Sequence, residues 1–349
     1  MLRLSTLTWG LIAIFCTTIA HAEEFVRPFE KAAEEYYDKL RHRRFEDLEQ
    51  DANIARNNNT KISDGQPRLA SIYGGIAGCL TVGCNNLLSE PEWQQRLQLI
   101  SEWKEKNSRS VTAAVAYASY FLEHAYAIRG QGYANTVPKE AWVPFRESIE
   151  TARKELQALP PHAKTDPGYY SAMLDVGVAQ AWPLDKFESL YQEASQKHPA
   201  YLPIYFSASS YFSPRWHGTS KNLRVFIEEA VNKTKADLGE TLYTRLNWSL
   251  WTSDMFVNGQ ASWTRMKAGF EEIISNYPDP WNINNYAKFA CLARDGESVL
   301  RLAKRIGQKP ISQAWWGSND YYRQCVAASQ AHVNKRQEGE AANKALRDN

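Results

Sequence analysis

"ASQKHPAYLPIYFSASSYF", Ala194 to Phe212, decides the fold. An amphipathic run ends in a polar turn at His198-Pro199, and a more apolar run follows it. "IISNYPDPWNINNYAKFACLA", Ile273 to Ala293, has the same form, with Tyr277-Pro278 at the equivalent place. In "TDPGYYSAMLDVGVAQAW", Thr165 to Trp182, Asp166-Pro167 takes that role. The second run of each pair carries small residues, among them Ala208, Ala287 and Ala290, as close helix contact requires. These are paired helices, and the pairing recurs along the chain. From Pro167 to Pro199 is 32 residues, near the ~34 of a tetratricopeptide unit. From Pro199 to Pro278 is 79, so the repeat is irregular and carries insertions.

Apolar residues recur at steps of three and four almost throughout, the period of a helix with one buried face. Trp93, Leu97, Ile100 and Trp103 share a face of one run, which opens with Ser89 and Glu92 placed as a capping box. Trp142, Phe145, Ile149, Ala152, Leu156 and Leu159 form a second stripe, and Trp263, Met266, Phe270, Ile273 and Tyr277 a third. Two-residue alternation is scarce. The prediction is an all-α, irregular tetratricopeptide-like helical-hairpin solenoid. The segment Asn57–Gly83 is the least regular and reads as a loop with one short helix. The tail from 336 to 349 is polar, either a solvated helix or frayed.

The first residues, "MLRLSTLTWGLIAIFCTTIAHA", read as a secretory signal peptide over 1–22. Arg3 is its only charge, Leu7–Ile19 its apolar core, and Ala20-His21-Ala22 its cleavage site. That core is shorter than the ~20 residues of a membrane span, and no later stretch reaches that length. The mature chain is therefore expected to be exported, into a bacterial periplasm, as a single helical-repeat domain over 23–335. Net charge is +2, with no polybasic stripe, which argues against a nucleic-acid partner. Aromatic content of 12%, with 12 Trp and 18 Tyr, supplies a substantial core and excludes a disordered chain.

Beyond Cys16 the chain has Cys79, Cys84, Cys291 and Cys325. An even number in an exported protein points to two disulfides. Cys79 and Cys84 bracket the short turn "CLTVGC", which leaves Cys291 for Cys325. The pairs lack the C-x-x-C spacing of a zinc site. Of His42, His124, His162, His198, His217 and His332, none has a second His three or four positions on. Neither a metal nor another cofactor is expected.

Three stretches together resemble a known family: "SVTAAVAYASYFLEHAYAIRGQGYANTV", "YLPIYFSASSYFSPRWHG" and "YPDPWNINNYAKFACLARDGE". They resemble the DUF4034 family, bacterial proteins of unknown function with a tetratricopeptide-like build. The likeness covers about residues 45–325. Arg129, Gly130, Gly132, Tyr133, Ala134, Thr136 and Val137 match its Arg-Gly-x-Gly-Tyr-Ala…Thr-Val pattern. Pro214, Arg215, Trp216 and Gly218 match its Pro-Arg-Trp-x-Gly, and Asn284 to Cys291 its third motif. His217 departs from it, standing where a small residue is expected. The resemblance implies the fold and supplies no activity.

Two loops are the candidate site. "RGQGY" holds more than a helix stop needs, since one left-handed glycine suffices. Arg129 and Tyr133 either line a rim that meets an anion or peptide carboxylate, or Arg129 bonds the exposed carbonyls of its own helix end while the glycines turn the chain. In "SPRWHG", Arg215, Trp216 and His217 either contact a ligand, or Trp216 caps the core and Arg215 pairs with an inward carboxylate. Equivalent loops of a solenoid leave from one edge, so the two are expected near each other.

Other features read as structural. His124 beside Glu123 is expected to be a hydrogen-bonded core histidine, and Ser207–Ser210 a small-residue helix contact. Glu228-Glu229 and Glu271-Glu272 are expected on solvated faces. No G-x-S-x-G turn or phosphate loop is present, and no catalytic residue is assigned. The expected function is a binding or scaffold role, holding a peptide, protein or cell-envelope partner. One alternative is an enzyme acting on an envelope substrate, with Arg129, Tyr133, Arg215 and Trp216 lining its pocket. The other is a purely structural scaffold. A polar pocket with a carboxylate favours catalysis, and a shallow groove favours binding.

Overall fold

The computed structural model describes residues 25–78, 88–130, 132–250 and 252–347. Among them are fifteen α-helices and no strand beyond an isolated bridge between Lys61 and Pro67. In chain order these are α1 (Pro28–Arg41), α2 (Phe45–Asn57), α3 (Arg68–Ala77), α4 (Glu90–Lys106), α5 (Val111–Arg129), α6 (Trp142–Gln157), α7 (Pro167–Ala179) and α8 (Leu184–Lys197). There follow α9 (Leu202–Phe212), α10 (Ser220–Leu238), α11 (Thr241–Ser249), α12 (Trp263–Asn276), α13 (Pro280–Leu292), α14 (Gly296–Ile306) and α15 (Asn319–Arg347).

Helices of two kinds alternate. The even-numbered members from α6 to α12 bury one stripe: Phe145, Ile149, Ala152 and Leu156 on α6, and Met266, Phe270 and Ile273 on α12. Of the odd-numbered members, α5, α7 and α9 are apolar on nearly all sides; α7 buries nine of its thirteen residues. A helix hydrophobic all round must be enclosed. Accordingly α3, α5, α7, α9 and α11 pack each against the next as an inner layer, and α6, α8 and α10 bridge successive pairs from outside. This is the predicted all-α, solenoid-like build.

The proline register differs from the sequence reading. Pro167 and Pro280 occupy the first turns of α7 and α13, behind Asp166 and Asp279, whose carboxylates cap Gly168 N at 2.7 Å and Trp281 N at 2.8 Å. Pro199 and Pro278 lie in the turns before their helices. Proline suits both places, because neither requires its missing N–H. The interval from Pro167 to Pro199 therefore compares two different points of the repeat.

The segment read as least regular is a central tie. Its helix, α3, buries Leu69, Ile72, Tyr73 and Ile76. The loop before it crosses to the C-terminal helices, where the Asp64 carbonyl accepts from Arg245 Nη2 and from Asn282 Nδ2 at 3.0 Å. Gly65 has φ +89°, and a Cβ there would stand 2.6 Å from the Tyr277 ring. Nearby, the fully buried Asp166 carboxylate takes Arg56 Nη2 and Tyr73 Oη, each at 2.5 Å, a second tie between distant parts of the chain. Phe25 stacks on Trp281 at 6.2 Å.

Cys291 and Cys325 are disulfide-bonded, Cα–Cα 5.8 Å, and join α13 to α15. The tail is helical as far as Arg347, a continuation of α15, so no break in structure marks residue 335. The expected signal peptide and the Cys79–Cys84 pairing fall outside the described residues. No described helix is long and apolar enough to cross a membrane.

Candidate functional site

Contacts of the loop after α9 bring the C-terminal ends of α5 and α7 to one place. The loop after α9 folds back across them. His217 Nε2 lies 2.7 Å from the Val178 carbonyl oxygen at the end of α7, so this nitrogen carries the proton and donates. Trp216 meets Tyr126 of α5 edge-on at 6.0 Å.

The loop after α5 comes to the same place. Gly130 ends the helix with φ +74°, a conformation that glycine takes without strain. At Gly132 a Cβ would instead stand 2.3 Å from Thr136 Oγ1, so that exposed side chain would have to turn away. Arg129 is only 5% exposed. Its Nη1 donates to the carbonyls of Gly130 at 3.0 Å and Gly132 at 3.2 Å, while its Nε is buried without a hydrogen-bond partner. The guanidinium carbon lies 4.8 Å from the Trp216 ring centroid and 5.5 Å from that of Trp142. Arg215 is exposed, its guanidinium 6.0 Å from the ring of Tyr133, itself 68% exposed. Burial, reinforced by the neighbouring Arg215 cation, holds the Arg129 pKa below the ordinary guanidinium value.

Below this rim α5 and α7 each carry half-buried residues at four-residue spacing. On α5 these include Ser119, Glu123 and Ala127; on α7 they are Ser171, Asp175 and Ala179. Four-residue spacing keeps each set on one face, and both read small–acid–small. Burial and the charge of Asp175 push the Glu123 carboxyl up to about 8. Burial pushes Asp175 up to about 7, against a hydrogen bond from Ser207 that favours the ionised form. Among the described residues no basic side chain acts on either acid. The loops thus bring two arginines together, while Glu123 and Asp175 lie half-buried on α5 and α7.

The structure brings Arg129, Tyr133, Arg215 and Trp216 together. His217 is in the same loop, but its ring is turned to the α7 carbonyl and anchors the loop. Arg129 meets the carbonyls of its own helix end, as one sequence reading had it, and faces Trp216 as well. Arg215 is exposed. His124 packs against Trp93 and Tyr120, with Nε2 3.3 Å from Glu90 Oε2. Of the acidic pairs, Glu228 and Glu229 are exposed as expected, while Glu271 and Glu272 are half-buried. Glu271 accepts from Tyr286 Oη at 2.5 Å and Glu272 from Glu240 N at 2.9 Å, so both join helices, whereas Glu228 pairs at the surface with Arg265 at 2.7 Å.

Glu123 and Asp175 were not singled out as site residues from sequence. The available signal was a lone carboxylate inside an otherwise apolar run, repeated as Ser-x-x-x-Glu-x-x-x-Ala and Ser-x-x-x-Asp-x-x-x-Ala.

A separate pocket of about 630 Å³ lies between α10, α11 and the 259–262 segment, lined in part by Glu228, Tyr243, Asn247 and Gln260. Its Glu228 is already neutralised by Arg265. A second, of about 300 Å³, lies against α7 and α8. Among the described residues no group of three His, Cys, Asp or Glu is placed to hold a metal. Compared with protein-family models, curated proteins and solved structures, the chain has no match.

Proposed function

We propose that the protein is an exported, periplasmic helical-array binding protein that holds a peptide or protein partner by a carboxylate at the rim between the two loops. One observation carries the reading. Arg129 is a buried cation without an acidic partner among the described residues, set beside a second cation and between two indole rings. A buried charge left uncompensated is costly, and an anion at the rim relieves that cost. Arginine offers a planar donor fork for a carboxylate, and the aromatic rings give the ligand a flat apolar wall. The resemblance to the DUF4034 family agrees with the helical build and adds no activity.

A second reading has its own observation. Half-buried carboxyl groups pushed toward neutrality suit general acid–base work, so Glu123 and Asp175 are the residues an enzyme here would use. Neither is paired with a nucleophile among the described contacts, and binding is preferred.

The test is calorimetric titration with N-acetyl-trialanine and its C-terminal amide. The reading expects the free carboxylate to bind at least ten-fold tighter, and Arg215→Ala to remove the difference. Equal affinity of the two ligands, or binding of neither, rejects it.

A further inference from the structure

We propose that the pocket of about 630 Å³ between α10, α11 and the 259–262 segment binds a neutral saccharide of one or two rings. This site uses no residue of the rim and does not depend on it.

The pocket exists because the repeat is interrupted there. Pro199 and Pro278 lie in the turns before α9 and α13, the same point of the array, so the 79 residues between them hold two helical hairpins. Two units of ~34 residues leave about 11 over. The segment 252–262, between α11 and α12, accounts for them. It is folded back and fastened: Gln260 N and Ala261 N donate to the Met255 carbonyl at 3.0 and 3.1 Å, and Ser262 N donates to Tyr243 Oη at 2.8 Å. Insertions in helical arrays often shape the binding face.

The buried part of the lining is polar and uncharged. Asn247 is 5% exposed, and its Nδ2 donates to the Tyr243 carbonyl at 2.9 Å. Its Oδ1 accepts from no described residue, yet it is not sealed from solvent, and the pocket is the space beside it. Tyr243 is as deeply buried; its Oη accepts from Ser262 N, and its own proton meets no described acceptor. A buried polar group without a partner is costly. Here one acceptor and one donor wait side by side, and a hydroxyl serves both.

The rest of the lining fits the same ligand class. Val225, Ile227 and Ala261 form an apolar patch for the C–H face of a sugar ring. The exposed amides of Asn232 and Gln260 offer further partners for hydroxyls. Charge favours no ion, because Arg224 and Glu229 oppose each other in sign and Glu228 is neutralised by Arg265 at 2.7 Å. The volume falls within the ~300–1,000 Å³ usual for small-ligand sites.

Titration calorimetry on the unmodified protein tests this, with glucose, N-acetylglucosamine, maltose, cellobiose and lactose as probes. Glucose 6-phosphate and glucosamine serve as charged counterparts. At least one neutral sugar should bind with a Kd of about 1 mM or tighter. Val225→Trp, at a position 48% exposed, fills the pocket without altering its buried floor and should abolish that binding. Asn247→Leu should weaken it about ten-fold, the worth of one buried hydrogen bond, with the helical circular dichroism retained. The proposal is overturned if no neutral sugar binds, or if binding is unchanged in either variant. Tighter binding of glucose 6-phosphate or glucosamine than of glucose overturns it as well.

Discussion

The guanidinium of Arg129, the last residue of α5, lies 4.8 Å from the ring of Trp216, in the loop that follows α9. The two helices are not neighbours in the inner layer; α7 stands between them. Contact across that gap is possible because the loop after α9 turns inward over the end of α7, held by the His217–Val178 hydrogen bond.

That contact separates the two arginines. Arg129→Ala removes two charge-assisted hydrogen bonds and the stacking, while relieving a buried charge, so a loss of about 1–3 kcal/mol is expected. Arg215→Ala alters an exposed rim and should stay within about 0.5 kcal/mol of the parent. Urea denaturation at one pH measures both; equal losses would contradict the placement of Arg215.

Glu123 and Asp175 give a pH signature. Their folded-state pKa values, about 8 and about 7, exceed the ordinary 4.5 and 3.8. Between those limits the folded state holds more protons than the unfolded one, so these groups lower stability as pH rises from about 4 to about 8. Glu123→Gln with Asp175→Asn should make the protein more stable than the parent at pH 8, by at least ~1 kcal/mol, and the difference should vanish near pH 4. Thermal midpoints across that range give the answer; a constant difference would place the acids in open water.

Gly65 tests the tie between the two ends of the chain. Alanine there meets the Tyr277 ring at 2.6 Å and adopts φ +89°. Left-handed strain alone costs roughly 1–2 kcal/mol, and the collision should raise the total above ~2 kcal/mol. In a Tyr277→Ala background the added cost should shrink toward the strain alone, since the two residues touch. Chemical denaturation of the three variants checks the coupling.

The disulfide between Cys291 and Cys325 closes a 34-residue separation. Its removal by the double serine variant should cost about 2–4 kcal/mol. Mass analysis of the alkylated, unreduced protein should find these two cysteines unmodified; alkylation at both would contradict the pairing.

The helical build was legible because stripes such as Phe145–Ile149–Ala152–Leu156 state the period directly, and burial follows the period. The meeting of the two loops was legible from repeat geometry. The central tie was not, because the Asp64 carbonyl carries it, and a backbone acceptor leaves no mark in a pattern of side chains. Glu123 and Asp175 were passed over for a related reason. A pattern search rewards the apolar majority of an inner helix, and its single acid looks like an interruption.

The central claim, that the rim of the two loops is where a ligand binds, is tested most directly by photo-crosslinking. A tripeptide with a benzoyl-phenylalanine at its centre, irradiated with the protein and mapped by mass spectrometry, should label the 126–137 and 213–218 segments, with labelling suppressed by excess trialanine. Labels confined to the α10–α11 pocket, or unaffected by the competitor, would contradict the account.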